Sequence, residues 1–405
     1  MAIIVPAPER ITDPLVVACV TPFNEYGELD VTKQKRFYDY LIREGAVPLV
    51  RGTTGESPTV YSDETQLSIR NARDVSNGRT YIWACVGGNS PKEVEEESEA
   101  AVECGARILL LTDPYYNDPS SPEIRHNHHG YIAKWLREKY PELIQLVPYI
   151  IPGRVGTATE PLDLYKLAKE NENIRAVKEA RGEAGLPQII EERKYLDALK
   201  DIFFSIKSGD DSLTAWYRTK EGIKLPGIMT DPRIRGDGVV SVIGDLIPYG
   251  VNQMAKTINE GRYEEAKELW YIMEPLFKIV TISVPYPRTL PDGTTKEITT
   301  KFKNPVPIKE LLMRGLGIDL GTCREPLGIT HFEDPEDIKI AKAGAQIARK
   351  AALESYEREV KVSKELELDI RILRRLETEW EGYVGKVEDR VKDPELWDTL
   401  VTPKE

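Results

Sequence analysis

The chain has 405 residues, 40% hydrophobic and 30% charged, with 55 Lys and Arg against 67 Asp and Glu and a net charge of -12. That length holds one barrel-sized domain with additions or two ordinary domains. The acidic balance argues against a nucleic-acid partner, which selects for a basic face, and no stretch approaches the roughly 18 apolar residues of a membrane span.

The start, Met1 to Arg10, has no long apolar segment behind a basic start, so a cytoplasmic protein with no membrane partner is expected. Cys19, Cys85, Cys104 and Cys323 are widely spaced and form no C-x-x-C pair. Neither a metal site nor a disulfide framework is suggested, and a reducing compartment fits.

In chain order, eight short apolar runs recur: Leu15 to Thr21, Val47 to Arg51, Tyr81 to Val86, Arg107 to Thr112, Leu143 to Ile151, Ile174 to Lys178, Phe203 to Ser208 and Gly238 to Ile243. Their starts lie 26 to 36 residues apart, the length of a strand, a loop, a helix and a return loop. Eight such units predict an α/β protein, a (β/α)8 TIM barrel with a C-terminal helical extension, and unbroken apolarity suits strands buried on both faces. A doubly wound open sheet is the structural alternative. Between the runs, Ser90-Pro91-Lys92-Glu93 starts one helix, with Ser as cap and Pro in the first turn, and Glu160-Pro161-Leu162 opens another.

Two stretches read as insertions. Glu221 to Arg235, rich in Pro and Gly, precedes the eighth run on the side of a barrel away from the chemistry, and Arg288 to Phe302 carries a hairpin signal at Leu290-Pro291-Asp292-Gly293-Thr294. Helices are expected from Pro248 to Thr281 and Val306 to Leu316. A charged helical stretch follows from Pro335 to about Val391, with a stripe of Leu366, Ile370, Leu373, Trp380 and Tyr383 or Val384. The expected units are therefore a barrel over 12–245, a helical segment with a hairpin over 246–330 and a charged helical appendage over 331–405.

The residues that could do chemistry stand where runs end. Lys178 closes the sixth run, and an amine in an apolar pocket loses the water that stabilises its ammonium, which makes it a Schiff-base nucleophile. Gly52-Thr53-Thr54-Gly55-Glu56-Ser57 follows the second run, and two glycines flanking two hydroxyls let backbone N–H and Oγ groups close on a small carboxylate. It is no nucleotide loop, since no Lys follows the second Gly. Pro114-Tyr115-Tyr116-Asn117 follows the fourth run, and the fifth ends in Tyr149-Ile150-Ile151-Pro152-Gly153-Arg154, offering phenols for proton relay and an Arg for a bidentate carboxylate clamp. On a barrel all of these share the rim formed by the strands' carboxyl ends.

These segments, with Ser208-Gly209-Asp210-Asp211, Gly238 to Val242 and Asn304-Pro305-Val306-Pro307-Ile308-Lys309, resemble in sequence and order the pyruvate-dependent class I aldolases related to dihydrodipicolinate synthase and N-acetylneuraminate lyase. The resemblance spans roughly Thr12 to Thr330 and does not extend past Pro335. It implies an imine between Lys178 and pyruvate, proton shuttling by Tyr149, a relay through Thr53, and seating of the pyruvate carboxylate by Thr53 and Thr54 on the loop that Gly52 opens. It places Val240 against pyruvate and Tyr116 in a neighbouring subunit's relay, within a homotetramer of tight dimers. No cofactor and no metal are implied.

Arg154 favours, within that family, a synthase joining pyruvate to L-aspartate 4-semialdehyde for lysine biosynthesis. A sugar-acid aldolase or hydratase-aldolase, and a keto-acid binder without turnover, are the alternatives. Ile150, Val155 and Arg181 depart from the family pattern. Arg181 is read either as a cation for a more acidic or bulkier acceptor or as the ion-pair partner of Glu56, Glu179 or Glu183. Asn89, Glu93 and Tyr115 partly resemble a lysine feedback site.

Overall fold

The computed structural model describes residues 3–199, 201–218, 224–227, 237–327, 334–366, 370–373 and 387–397. Each of the eight runs becomes a strand, to within three residues at either end. They are β1 (Leu15–Ala18), β2 (Val47–Val50), β3 (Ile82–Val86), β4 (Ala106–Thr112), β5 (Gln145–Ile150), β6 (Ala176–Glu179), β7 (Ser205–Ser208) and, after two strands of a side hairpin, β10 (Val239–Ser241). All eight pair in parallel and close on themselves in the order β1-β10-β7-β6-β5-β4-β3-β2, so the barrel holds and the open sheet does not. Alternate residues point inward: Val16 and Ala18, Val47 and Leu49, Trp83 and Cys85, Ile108 and Leu110, Val147 and Tyr149 form one buried cluster with Ala176 and Val240.

The intervening helices are α1 (Val31–Arg43), α2 (Ser62–Ser76), α3 (Pro91–Cys104), α4 (Gly130–Lys139), α5 (Pro161–Glu170), α6 (Leu186–Leu196) and, after β10, α7 (Pro248–Asn259). Local chemistry starts them: Asp30 accepts the Lys33 N–H at 2.9 Å, and Pro91 and Pro161 sit in first turns, where no N–H is needed. One unit departs from the pattern. After β7 the chain makes a short turn at Asp211–Leu213 and then a hairpin of β8 (Thr214–Arg218) and β9 (Lys224–Gly227) in place of a helix. Within the expected insertion at 221–235 only Lys224–Gly227 is described; the rest lies outside the described residues.

Beyond the barrel, α8 (Tyr263–Phe277) leads into a ribbon of β11 (Thr281–Thr289) and β12 (Thr295–Lys303), which turns through Leu290–Thr294 and begins seven residues before the hairpin expected from the sequence. The helix starting at Pro335, α9 (Pro335–Glu365), stops at Glu365 and does not run on to Val391. Ile370 is half-buried and Leu373 buried in a non-helical stretch, while Trp380, Tyr383 and Val384 lie outside the described residues. A stripe of Ala341, Ala345, Ala348 and Ala352 lets α9 lie close to α8, where Ser355 Oγ donates to Ile272 O at 2.8 Å. The last elements, α10 (Val387–Lys392) and a turn at Glu395–Trp397, bury Trp397 against Gly315. All four cysteines are buried and free, and no helix among the described residues is long and apolar enough to cross a membrane.

At the amino-terminal end of the barrel, the fully buried Lys207 donates from Nζ to Asp13 O at 2.6 Å and Asp237 O at 2.8 Å. Gly238 (φ +145°) makes room: a Cβ there would sit 2.8 Å from Nζ and 2.4 Å from Asp13 O. Burial lowers the Lys207 pKa to about 8, against the pull of Asp13 and Asp237. The unfolded chain therefore binds the extra proton between about pH 8 and the ordinary lysine value, and this group's penalty on the fold shrinks as pH rises through that window. Urea unfolding at pH 8 and pH 10 should show a smaller pH-dependent gain in stability in Lys207→Met than in the wild type.

Candidate functional site

Two barrel strands supply the centre of the rim. Tyr149 on β5 and Lys178 on β6 are direct register partners, so pleating turns both side chains inward at the same height. Lys178 Nζ stands 4.1 Å from the centroid of the Tyr149 ring, and both side chains are buried. Ala180 N donates to Ile150 O at 2.9 Å and carries the pairing one step beyond the strands. Val240, from β10, lies in the same interior cluster and is fully buried.

The space beside the amine depends on Gly209. A Cβ there would come within 3.1 Å of Lys178 Cε, 3.0 Å of Glu179 O and 2.8 Å of Ala180 Cβ. Asp210, next in the chain, accepts from Gly182 N at 2.9 Å; burial raises its pKa, while the Lys178 charge works in the opposite direction. Asp211 accepts from the Ser241 hydroxyl and from Val242 N at 2.8 Å and Ile243 N at 3.1 Å, which ties the end of β7 to the turn after Val240.

The loop after β2 is built for close approach. Arg51 and Glu56 both take positive φ, near 60°, and a Cβ on Gly55 would meet Cys19 O at 2.9 Å. Thr53 is half-buried and Thr54 buried, with Gly52 buried beneath them. Thr54 Oγ1 accepts from Asn304 Nδ2 at 2.9 Å. Asn304 O in turn accepts from Arg154 Nη2 at 3.3 Å, so one residue of the segment after β12 bridges the hydroxyl and the guanidinium. Glu56 anchors the loop from behind, paired with Lys309 Nζ at 2.7 Å and accepting from Arg324 N at 2.8 Å.

The structure therefore brings Lys178, Tyr149 and Val240 together inside the barrel, and joins Thr54 to Arg154 through Asn304. It does not bring Tyr116 to them within one chain: Tyr116 has φ 72° and is 91% exposed. Arg154 is exposed, on the short helical turn Pro152–Val155 that follows β5. Asn89 accepts from Tyr115 N at 2.9 Å. Arg181 pairs with Glu179 at 2.5 Å, one of the three carboxylates expected for it (Glu56, Glu179 and Glu183), and also with Glu192, which was not among them. The signal for Glu192 was present: Ile189, Glu192 and Leu196 share one buried face of α6, so a carboxylate occupies a core position.

A closed parallel barrel whose chemically competent side chains gather at the strands' carboxyl ends defines a TIM-barrel enzyme. Comparison with known proteins narrows the class. The family model for the dihydrodipicolinate synthetase family matches residues 12–342, running into the helix that begins at Pro335. The 4-hydroxy-tetrahydrodipicolinate synthase of Methanococcus vannielii is 33% identical over 311 residues, 76% of this chain and 90% of that protein. The synthase of the same name from Chlorobium phaeobacteroides is 31% identical over 324 residues, 80% and 93% of the two chains. Among solved structures, dihydrodipicolinate synthase from Aquifex aeolicus superposes with a TM-score of 0.64 at 28% identity, covering 89% of this chain and 99% of that one. The 4-hydroxy-tetrahydrodipicolinate synthase of Methylacidiphilum fumariolicum gives 0.67 at 27% identity, over 87% and 98%. The chain belongs to the dihydrodipicolinate synthetase family and is an enzyme of the class I, pyruvate-dependent lyase type.

Adding one methyl group at Gly209 should crowd Lys178 Cε and the rigid Glu179 carbonyl, an overpacking of about 1–3 kcal/mol. Gly209→Ala is expected to remain folded by circular dichroism and to lower the melting temperature by a few degrees.

Proposed function

We propose that this enzyme condenses pyruvate with L-aspartate 4-semialdehyde through an imine on Lys178, as a 4-hydroxy-tetrahydrodipicolinate synthase of lysine biosynthesis. The observation that carries the reading is the buried amine held 4.1 Å from the ring centroid of its register partner Tyr149. Lys178 Nζ adds to the keto carbon of pyruvate, and loss of water leaves the imine. Removal of a methyl proton gives the enamine, whose carbon attacks the aldehyde carbon. The acceptor's own amine then adds to the imine carbon and displaces Lys178 Nζ, which closes the ring, returns the free lysine and releases the cyclic product with its new carbon–carbon bond. The protonated imine is the electron sink, so the sequence of steps calls for neither metal nor cofactor.

Each neighbour has a part in this scheme. Tyr149 passes protons to and from the carbinolamine, with Thr53 next in the relay. Thr53 and Thr54, on the loop opened by Gly52, seat the pyruvate carboxylate, and Val240 packs against its methyl side. Arg154 clamps the carboxylate of the incoming aldehyde in bidentate fashion. Its link through Asn304 to Thr54 supports that role. Tyr116, exposed on a strained backbone, completes the relay of a neighbouring subunit in a homotetramer of the cytoplasm. The names of the relatives support the choice of acceptor.

Incubation with pyruvate and borohydride should add the mass of one reduced pyruvate to a peptide containing Lys178, and Lys178→Ala should abolish the addition. An unlabelled wild type would overturn the imine. Arg154→Ala should leave trapping within about twofold of wild type while lowering kcat/KM for the semialdehyde by at least about 30-fold, the loss of a charge-assisted bidentate pair. Equal loss of both would remove Arg154 from the acceptor subsite. A strong preference for sugar aldehydes in the same assay would reassign the acceptor.

A further inference from the structure

Behind the rim, on the outer side of the strands, lies a chain of buried polar contacts that the scheme above does not use. His129 Nε2, on a turn of wide helix leading into α4, lies 2.7 Å from Asp113 Oδ1. Asp113, directly after β4, also accepts from Thr159 N at 3.0 Å and Thr159 Oγ1 at 2.8 Å. The Thr159 carbonyl accepts from Arg181 Nη2 at 2.5 Å, and the other nitrogen of that guanidinium pairs with both Glu179 and Glu192. Arg181 N donates to Glu179 Oε1 at 2.9 Å. Within this chain of contacts Asp113, His129, Glu179 and Glu192 are completely buried.

Stability alone does not account for such a cluster. Removing two carboxylates and a guanidinium from water costs several kcal/mol per ion, and apolar packing of the same volume is often at least as stable. Burial raises the pKa of Glu179 and of Glu192, and the single arginine opposes it in both. What the cluster does provide is a joint between three successive rim loops. Asp113 opens the loop carrying Tyr115 and Tyr116, Thr159 closes the loop carrying Arg154, and Arg181 begins the loop after Lys178. Thr157 Oγ1, donating to Pro119 O at 2.8 Å, adds a second tie between the first two.

The strands do not need this joint, because Tyr149 and Lys178 are held by the barrel's own ladder. The loop from Ile151 to Glu160 lies outside that ladder. Building on the condensation reading above, we propose that Arg181 is a positioning residue for the aldehyde acceptor: it holds the Arg154 loop at the distance that lets the guanidinium meet the acceptor's carboxylate, and leaves imine formation to the strands. A displacement of about 1 Å at such a clamp costs up to about 100-fold in rate.

The test uses two variants, Arg181→Lys and Glu192→Gln. Lysine keeps the charge but cannot fork to Glu179, Glu192 and the Thr159 carbonyl together. Glutamine keeps a hydrogen-bonding oxygen for Arg181 and removes one buried carboxylate. For each variant, borohydride trapping of pyruvate, steady-state kinetics with L-aspartate 4-semialdehyde and thermal melting are measured on the full chain. The expected result is trapping within about twofold of wild type with a KM for the semialdehyde raised about tenfold in Arg181→Lys, and a smaller rise in the same direction in Glu192→Gln. Unchanged acceptor KM in the folded variants overturns the proposal. So does a parallel fall of trapping, turnover and melting temperature, which marks a purely structural cluster. A wild type that cannot be trapped at all removes the imine itself, a result distinguishable from either of these.

Discussion

The whole site rests on one lateral pairing, the register of β5 against β6. Because Tyr149 and Lys178 are opposite each other in a parallel ladder, they emerge on the same face at the same level. A slip of one residue would turn Lys178 outward towards α6 and replace it inside by Val177 or Glu179. Barrel closure makes that slip costly, since every strand is held on both sides and the interior is already filled by Trp83, Ile108, Leu110 and Val147. The amine is thus placed by sheet geometry and packing, and it owes little to loops.

Loops supply the second half of the site, and each is fastened by contacts remote in sequence. The Gly52–Ser57 turn is pinned by Lys309 and Arg324 acting on Glu56, more than 250 residues away in the chain, and the same two cations lie over the Phe23 ring at 4.5 and 4.3 Å. Asn304 joins that turn to Arg154. The region after the barrel therefore completes the rim in addition to packing on it. This division, rigid strands for the reacting amine and long-range polar ties for the binding groups, suits a reaction in which one substrate is covalently held and the other must be oriented as it arrives.

The carboxyl-terminal stretch follows the same physics with apolar contacts. The alanine stripe of α9 brings its backbone close to α8, and Ile372 packs so tightly on α7 that a Cβ at Gly250 would lie 2.7 Å from it. Trp397, at the end of the described chain, is fully buried and donates from its indole to Arg390 O at 3.0 Å. An aromatic side chain of that size contributes a large area to the core.

Much of this was legible from residue order. Eight apolar runs at barrel spacing, several ending at or followed by residues able to do chemistry, yielded the strands, the rim and Lys178, because buried parallel strands need unbroken apolarity and a barrel collects its strand ends on one face. Local pattern could not reveal that a ribbon and a turn replace the helix after β7, or that α9 stops at Glu365. Nor could it reveal which carboxylate Arg181 meets. Glu56, Glu179 and Glu183 were all available by composition, yet Glu179 was chosen and Glu192 joined it, because α6 folds its core face back onto β6. Sequence by itself determined which side chains could act and on which strand ends they stand, since periodicity and burial are local properties. Only the tertiary structure decided which of them meet, since a contact such as Asn304 with Thr54 depends on where the chain returns after 250 positions.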